Sequence, residues 1–151
     1  MMRRDYWRRL GLIAAMVTMV GSSPARAQPG FETAFKVIVN VAQTASTIDK
    51  TVLADIYRGK TTRWRDGSRI APVDHSTQSP LRASFTREIL GETIPSAMAY
   101  WMRQMSTGAR PPMVKEKDED VIGYVVANAG AIAYVAESAT LPGTLKVLKV
   151  Q

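Results

Sequence analysis

Apolar stretches separated by polar ones predict strands and helices that alternate along residues 35–150. The nearly continuous apolar run at residues 35–40 is typical of a strand buried on both faces of a sheet. Three further strands are predicted at residues 69–74, 131–135 and 145–150. Pro72 favours an edge or terminal position for the first of these three, because proline cannot donate to a strand ladder.

Four helices are predicted between these strands. The first begins after Asp49 as N-cap, buries Val52, Leu53, Ile56 and Tyr57, and ends at Gly59. The second begins at Ser79 and Pro80, which suit the N-cap and the first helical position, and ends at Gly91. Its apolar residues repeat every four positions at Leu81, Phe85 and Ile89.

The last two helices complete the pattern. The third runs from about residue 95 to Met105, and a stripe at helical spacing predicts a buried face of Ile94, Met98, Trp101, Met102 and Met105. The fourth begins at the acidic residues 118–120 and is predicted to bury Val121, Ile122, Val125 and Val126. With no repeat and no linker, the pattern indicates one α/β domain.

The first 27 residues have the layout of a secretory signal peptide. Four arginines lie within the first nine residues, an apolar run occupies residues 10–20, and Ala25-Arg26-Ala27 has the small-x-small pattern that signal peptidase cleaves after. The run is too short for a bilayer core, which needs roughly 20 apolar residues; the alternative is an uncleaved membrane anchor. We expect a cleaved signal peptide at residues 1–27, a periplasmic location, and a mature domain of residues 28–151.

Removal of this segment changes what the charge implies. The chain has 20 Lys and Arg residues against 13 Asp and Glu residues, and residues 1–27 contain five of the former and one of the latter, which leaves a formal charge of +3. No basic cluster interleaved with aromatic residues remains, so nucleic acid is not expected as a partner. Contact with a membrane is expected only through the signal peptide. The absence of cysteine excludes disulfides and thiol chemistry.

Few residues are available for catalysis. His75 is the only histidine, and without cysteine a metal site of the His/Cys type cannot form. A Ser-His-Asp set could use Asp74 and a serine of residues 76–79, but neighbouring strand residues point to opposite faces and no G-x-S-x-G turn is present. We therefore predict that the protein is not an enzyme and needs neither a metal nor another cofactor.

The loop at residues 74–79 is the predicted binding site. It joins the C-terminal end of a strand to the N-terminus of a helix, where open α/β sheets bind ligands and free N–H groups favour an anion. The predicted ligand-binding residues are His75, Ser76, Thr77, Ser79 and Arg82. The alternative is that Ser79 only caps the helix while the others belong to an ordinary polar loop.

Two segments carry motifs of a known family. Residues 48–67, IDKTVLADIYRGKTTRWRDG, are similar to the pattern L-s-x-x-x-L-x-x-I-F/Y-x-G-K-x-x-x-W-x-D-G, and residues 128–135, NAGAIAYV, to x-x-x-G-A-I-G-Y-V. Both patterns are typical of periplasmic phosphate-binding proteins, the solute receptors of phosphate ABC importers. The resemblance spans residues 35–150 and implies an α/β fold, a single three-layer-like domain resembling one lobe of a type II periplasmic binding protein.

The same resemblance implies phosphate or another small oxyanion as ligand. In that family the segment matching residues 75–81 typically reads R-S-D-G-S-G-T, and its Arg, Asp and backbone donors hold phosphate. Here His75 stands at the arginine and Thr77 at the aspartate, while both serines are kept. Pro80 replaces a glycine and removes a backbone donor. Full-length members close two lobes over the anion, so this chain resembles a short single-lobe relative.

Two functions are compatible with these observations. The first is an exported solute-binding-type protein that resembles phosphate ABC transporter substrate-binding proteins and binds an oxyanion weakly, with an ABC-transporter or other envelope protein as partner. The second is a ligand-free binding-protein-like module that serves in the interactions or sensing of a cell-envelope complex.

Overall fold

The structure is a computed structural model that describes residues 33–151, so the predicted signal peptide lies outside the described residues. Its strands are β1 (Phe35–Asn40), β2 (Thr47–Ile48), β3 (Ala71–His75), β4 (Met113–Lys115), β5 (Ala131–Ala136) and β6 (Leu145–Val150). Its helices are α1 (Lys50–Tyr57), α2 (Pro80–Phe85), which continues into a π-helical turn over Thr86–Leu90, α3 (Ile94–Met105) and α4 (Asp118–Ala127). None of the helices in this part of the chain is long and apolar enough to cross a membrane.

The strands form one mixed sheet in the order β2-β6-β1-β5-β3-β4. β1 pairs antiparallel with β5 on one side and with β6 on the other. β3 runs parallel to both β5 and β4. The C-terminal ends of β3 and β4 therefore meet at one edge of the sheet, and the loop that follows His75 begins there.

Apolar side chains fill both faces of this sheet. On one face α1 and α2 pack over the strands, with Leu53, Phe85 and Tyr134 in the core cluster. On the other face α4 contributes Val121 and Val125 to a second cluster. Burying a large apolar side chain contributes about 1.5–3 kcal/mol. Helices on both faces of a sheet make three layers, as the family resemblance implies.

The four predicted strands are all present, and β1 is buried on both faces, as predicted. Of the two positions that Pro72 predicted, an edge strand is wrong, because β3 lies between β5 and β4, whereas a terminal position agrees with Pro72 as the second residue of β3. β4 pairs with β3 only from Val73 onward, so Pro72 precedes that ladder. The short strands β2 and β4 were not predicted, since two or three residues carry no period of their own.

The helix boundaries agree with the prediction more closely than the helix faces do. Leu81, Phe85 and Ile89 are buried as predicted, and Gly91 ends that helix in the left-handed region with a φ of 69°. Val52 and Val126, by contrast, are exposed. Each lies at the edge of the face that was predicted to be buried, on the side that meets solvent.

The predicted buried stripe of α3 is wrong. Met98, Met102 and Met105 are 46%, 68% and 49% exposed, Trp101 is only half-buried, and Ala97 is the buried residue of the helix. Within residues 33–151, α3 contributes no side chain to either core cluster. It packs instead on the C-terminal end of α1, which leaves its methionines facing outward.

Candidate functional site

The loop of residues 76–79 connects the end of β3 to the start of α2 in a single turn. The Ser76 N–H donates to the Lys115 carbonyl oxygen at 3.2 Å, which ties the loop to β4. The Ser79 N–H donates to the Ser76 carbonyl oxygen at 2.9 Å, which closes the turn. Ser76 and Ser79 are half-buried, and Thr77 is exposed. The three hydroxyl residues of the predicted site therefore do lie together at the surface.

The start of α2 leaves several donors without an acceptor. Ser79 occupies the N-cap position with an extended backbone, yet its hydroxyl makes no capping hydrogen bond. The N–H groups of Leu81 and Arg82 have no acceptor within residues 33–151, and Pro80 has no N–H. The alternative that Ser79 serves as a side-chain cap is not seen. Unpaired donors at a helix start favour an anion.

The other two predicted site residues are buried beneath the loop. Arg82 is 7% exposed; its Nη1 lies 3.0 Å from Oδ2 of Asp74 and donates to the His75 carbonyl oxygen at 2.6 Å. His75 is 2% exposed, and its Nε2 lies 2.9 Å from the Tyr134 carbonyl oxygen and 3.6 Å from Oδ1 of Asp118. The structure thus separates these two side chains from the three surface hydroxyls.

Asp74 is the centre of this buried polar network. Its carboxylate accepts hydrogen bonds from the Tyr134 hydroxyl and from the His75 N–H, in addition to its ion pair with Arg82. Burial raises the pKa of Asp74 above its ordinary value of 3.8, although the Arg82 charge and these hydrogen bonds act in the opposite direction. Burial, together with the Asp74 charge, also raises the pKa of Tyr134 and of Tyr57.

The network limits the charge available at the loop. The Arg82 guanidinium is matched by the Asp74 carboxylate, so the pair adds little net positive charge at the surface. Nε of Arg82 is a buried donor without a partner within residues 33–151. Sequence reasoning considered Asp74 as a strand-end residue and as a member of a Ser-His-Asp set, but it did not predict the pairing of Asp74 with Arg82 or a site role for Tyr134 and Asp118. Tyr134 is a polar residue within an otherwise apolar strand, whereas Asp118 lies in a charged helix start and carries no such signal.

Two clefts lie elsewhere on the surface. One, of about 550 Å³, lies between residues 43–49 and residues 61–66. The other, of about 250 Å³, lies beside the first residues of β3. Neither of these two clefts is lined by residues 76–79. No group of three or more His, Asp or Glu side chains within the described part of the chain is placed to hold a metal ion.

Comparisons with known proteins bear on the fold. No family model and no curated protein matches the sequence. Among solved structures, the chain is similar to an ABC-type phosphate transport receptor from Vibrio cholerae, with a TM-score of 0.63, 20% identity, and coverage of 82% of this chain and 51% of the receptor. It is similar also to PstS from Borrelia burgdorferi, with a TM-score of 0.62, 17% identity, and coverage of 78% and 47%.

A third similar structure is a protein from Clostridium perfringens described as a phosphate ABC transporter substrate-binding protein and solved with bound phosphate. Its TM-score is 0.62, its identity is 20%, and the match covers 77% of this chain and 44% of that one. The chain therefore spans about half the length of the receptors it matches. The predicted resemblance is confirmed at the level of the fold. The described residues have the α/β fold of one lobe of the periplasmic phosphate-binding proteins.

Proposed function

We propose that this chain is an exported solute-binding protein that holds a small oxyanion, phosphate in the first place, at the loop of residues 76–79. The observation that carries the proposal is the set of unused donors at the start of α2: the Ser79 hydroxyl and the N–H groups of Leu81 and Arg82. The shared fold with proteins named for phosphate transport supports the choice of anion. The Ser76 hydroxyl lies in the same turn and adds a further donor.

The proposed site is weak and wet. Its donors are neutral, its nearest guanidinium is paired with Asp74, and Thr77 at its rim is exposed. Desolvation, which strengthens electrostatic interactions, is therefore incomplete. We expect a dissociation constant of about micromolar to millimolar, and salt should weaken binding further. An ABC-transporter component or another envelope protein is the proposed partner.

Calorimetric titration at low ionic strength tests the proposal. Phosphate should bind, and Ser76→Ala and Ser79→Ala should each weaken it about fivefold, the effect of one lost hydrogen bond. Ser106→Ala, which removes an exposed hydroxyl bonded to the Arg103 carbonyl oxygen, is the matched control and should bind normally. The absence of phosphate, sulfate and acetate binding would overturn the proposal. Arg82 is unsuitable for this test because its guanidinium belongs to the buried network.

Export is tested separately. We propose that the chain is cleaved before Gln28 and acts in the periplasm, on the strength of the arginines, apolar run and small-x-small tripeptide of residues 1–27. Mass spectrometry of protein from an envelope fraction should find a chain that begins at or near Gln28. A cytoplasmic protein that retains Met1 would contradict this part of the proposal.

The exposed methionines of α3 favour a second candidate function, a binding-protein-like interaction or sensor module. Met98, Met102 and Met105 lie at helical spacing and are all exposed, and methionine-rich surfaces suit protein contacts. Under this alternative, Met102→Lys should abolish cross-linking to an envelope partner while Ser79→Ala leaves it unchanged. If Met102→Lys and Ser79→Ala both still cross-link to the partner, that result would contradict this alternative.

A further inference from the structure

A second potential binding site lies at the opposite end of β3 from the loop. The cleft of about 250 Å³ is bounded by the turn after α1, by the first residues of β3 and by the segment that leads into β4. A strand of five residues spans roughly 15 Å, so this cleft and the loop of residues 76–79 are separate places. Nothing in the proposed oxyanion site uses the cleft.

The walls of the cleft are aromatic and apolar. Trp101 reaches it from α3 and Tyr124 from α4, and Pro111 and Pro112 line it from the segment before β4. The Trp101 indole is held in place by close contact with Gly59, where its Cη2 lies 2.9 Å from the position that a Cβ would occupy. Flat aromatic surfaces of this kind favour a planar ring, which can stack on them or meet their edges.

The charge at the cleft is one-sided. Arg69 and Arg110 both line it and are both exposed. Neither guanidinium has a hydrogen bond or a carboxylate partner within residues 33–151. The lining contains no Asp or Glu, while the hydroxyls of Thr61 and Thr62 add neutral donors. An uncompensated pair of arginines beside aromatic walls is complementary to a ligand that joins an anion to an apolar body.

We propose that this cleft binds a small aromatic carboxylate. The ring would lie against Trp101 and Tyr124, and the carboxylate would take hydrogen bonds from Arg69 and Arg110, because the planar guanidinium matches a carboxylate with two parallel bonds. The volume lies just below the roughly 300–1,000 Å³ of common ligand pockets. A ligand with a single ring therefore fits better than an extended peptide.

Calorimetry of the full chain with benzoate tests the proposal. Benzoate should bind, whereas benzyl alcohol, which lacks the charge, and acetate, which lacks the ring, should each bind at least about fivefold more weakly. Raising the salt concentration should weaken benzoate binding, since the arginines are exposed. No detectable binding of benzoate, or equal binding of benzyl alcohol, would overturn the proposal.

Single substitutions test whether benzoate binds in this cleft. Arg69→Gln and Arg110→Gln should each weaken benzoate binding about fivefold, the effect of one exposed charge pair. Arg103→Gln removes an exposed arginine of α3 that does not line the cleft, and it should bind benzoate as the wild type does. Equal effects of the three variants would overturn the proposal. So would weakened benzoate binding in Ser79→Ala, because that result would place benzoate at the oxyanion loop.

Discussion

The indole of Trp101 lies directly on the backbone of Gly59, so that a Cβ at residue 59 would come within 2.9 Å of the Trp101 Cη2 atom. Gly59 also has a φ of 70°, in the left-handed region that ends α1. One residue earlier, the Arg58 carbonyl oxygen accepts a hydrogen bond from the Tyr100 hydroxyl at 2.9 Å. These adjacent contacts attach α3 to the end of α1.

Substitution of Gly59 should reveal two costs, that of its left-handed backbone and that of displacing the Trp101 ring. Gly91 has nearly the same φ, 69°, and no atom within 4 Å of a Cβ placed there, so Gly91→Ala measures the backbone cost alone, about 1–2 kcal/mol. Gly59→Ala should cost about 1–3 kcal/mol more because the Trp101 ring must shift. Urea denaturation measures both values. Equal losses of stability would show that the ring moves aside freely.

The buried ion pair of Asp74 and Arg82 should be more costly to break than an exposed one. Asp74→Asn and Arg82→Leu should each destabilise the fold by about 3–5 kcal/mol, because each leaves a buried polar group without its partner. The double variant should lose less than the sum of the two single variants. Lys60→Ala, which removes the exposed pair with Asp55 at 3.6 Å, is the control and should cost less than about 1 kcal/mol. Additive losses would contradict the coupling.

The raised pKa of Asp74 has a definite effect on stability. The folded protein retains this proton at pH values where the unfolded chain, with a pKa near 3.8, has released it. The stability that comes from this retained proton, as distinct from the ion pair with Arg82, is therefore fully present below the unfolded-state pKa and is lost as the pH rises through the folded-state pKa. The stability of the wild type relative to Asp74→Asn should accordingly fall with rising pH. A Cγ titration by NMR that gives a pKa below 3.8 would contradict this expectation.

Substitutions along the interior and along α3 should differ sharply. Phe85 stacks on Tyr134 with ring centroids 3.9 Å apart, and Phe85→Ala should cost about 3–5 kcal/mol. Trp101→Ala should cost roughly half as much stability as Phe85→Ala, because Trp101 is only half-buried. Met102→Ala should change the free energy of unfolding by about 0.5 kcal/mol or less, because Met102 is 68% exposed. A large loss for Met102→Ala would show that α3 contacts something in solution.

The spacing of apolar residues predicted where the helices and strands lie better than it predicted what each of their faces packs against. Leu81, Phe85 and Ile89 fall on one side of a helix whatever that helix packs against, so their burial could be predicted. The same reasoning failed for α3, because a stripe of methionines shows which face is apolar and not whether the sheet covers it. β4 was missed because its three residues owe their extended form to pairing with β3.

The candidate site likewise has one part that could be predicted from the sequence and one part that could not. The surface position of Ser76, Thr77 and Ser79 followed from a strand-to-helix connection, which is a local property. The pairing of Arg82 with Asp74 joins a helix to a strand eight positions earlier, and nothing in the local sequence distinguishes a guanidinium that turns inward from one that faces solvent.

The central place of β1 in the sheet has a consequence for the order in which the chain can fold. β1 is the first described strand, yet its two neighbours are the last two, with Ile38 opposite Ala133 and Val147. Contacts between residues so far apart in sequence close late and slow folding. A chain that emerges from its N-terminus, whether from a ribosome or across a membrane, cannot complete this sheet until residues 131–150 have followed. Until then β1 exposes two unpaired backbone edges and its apolar side chains, which is the state in which such a chain is most prone to aggregate.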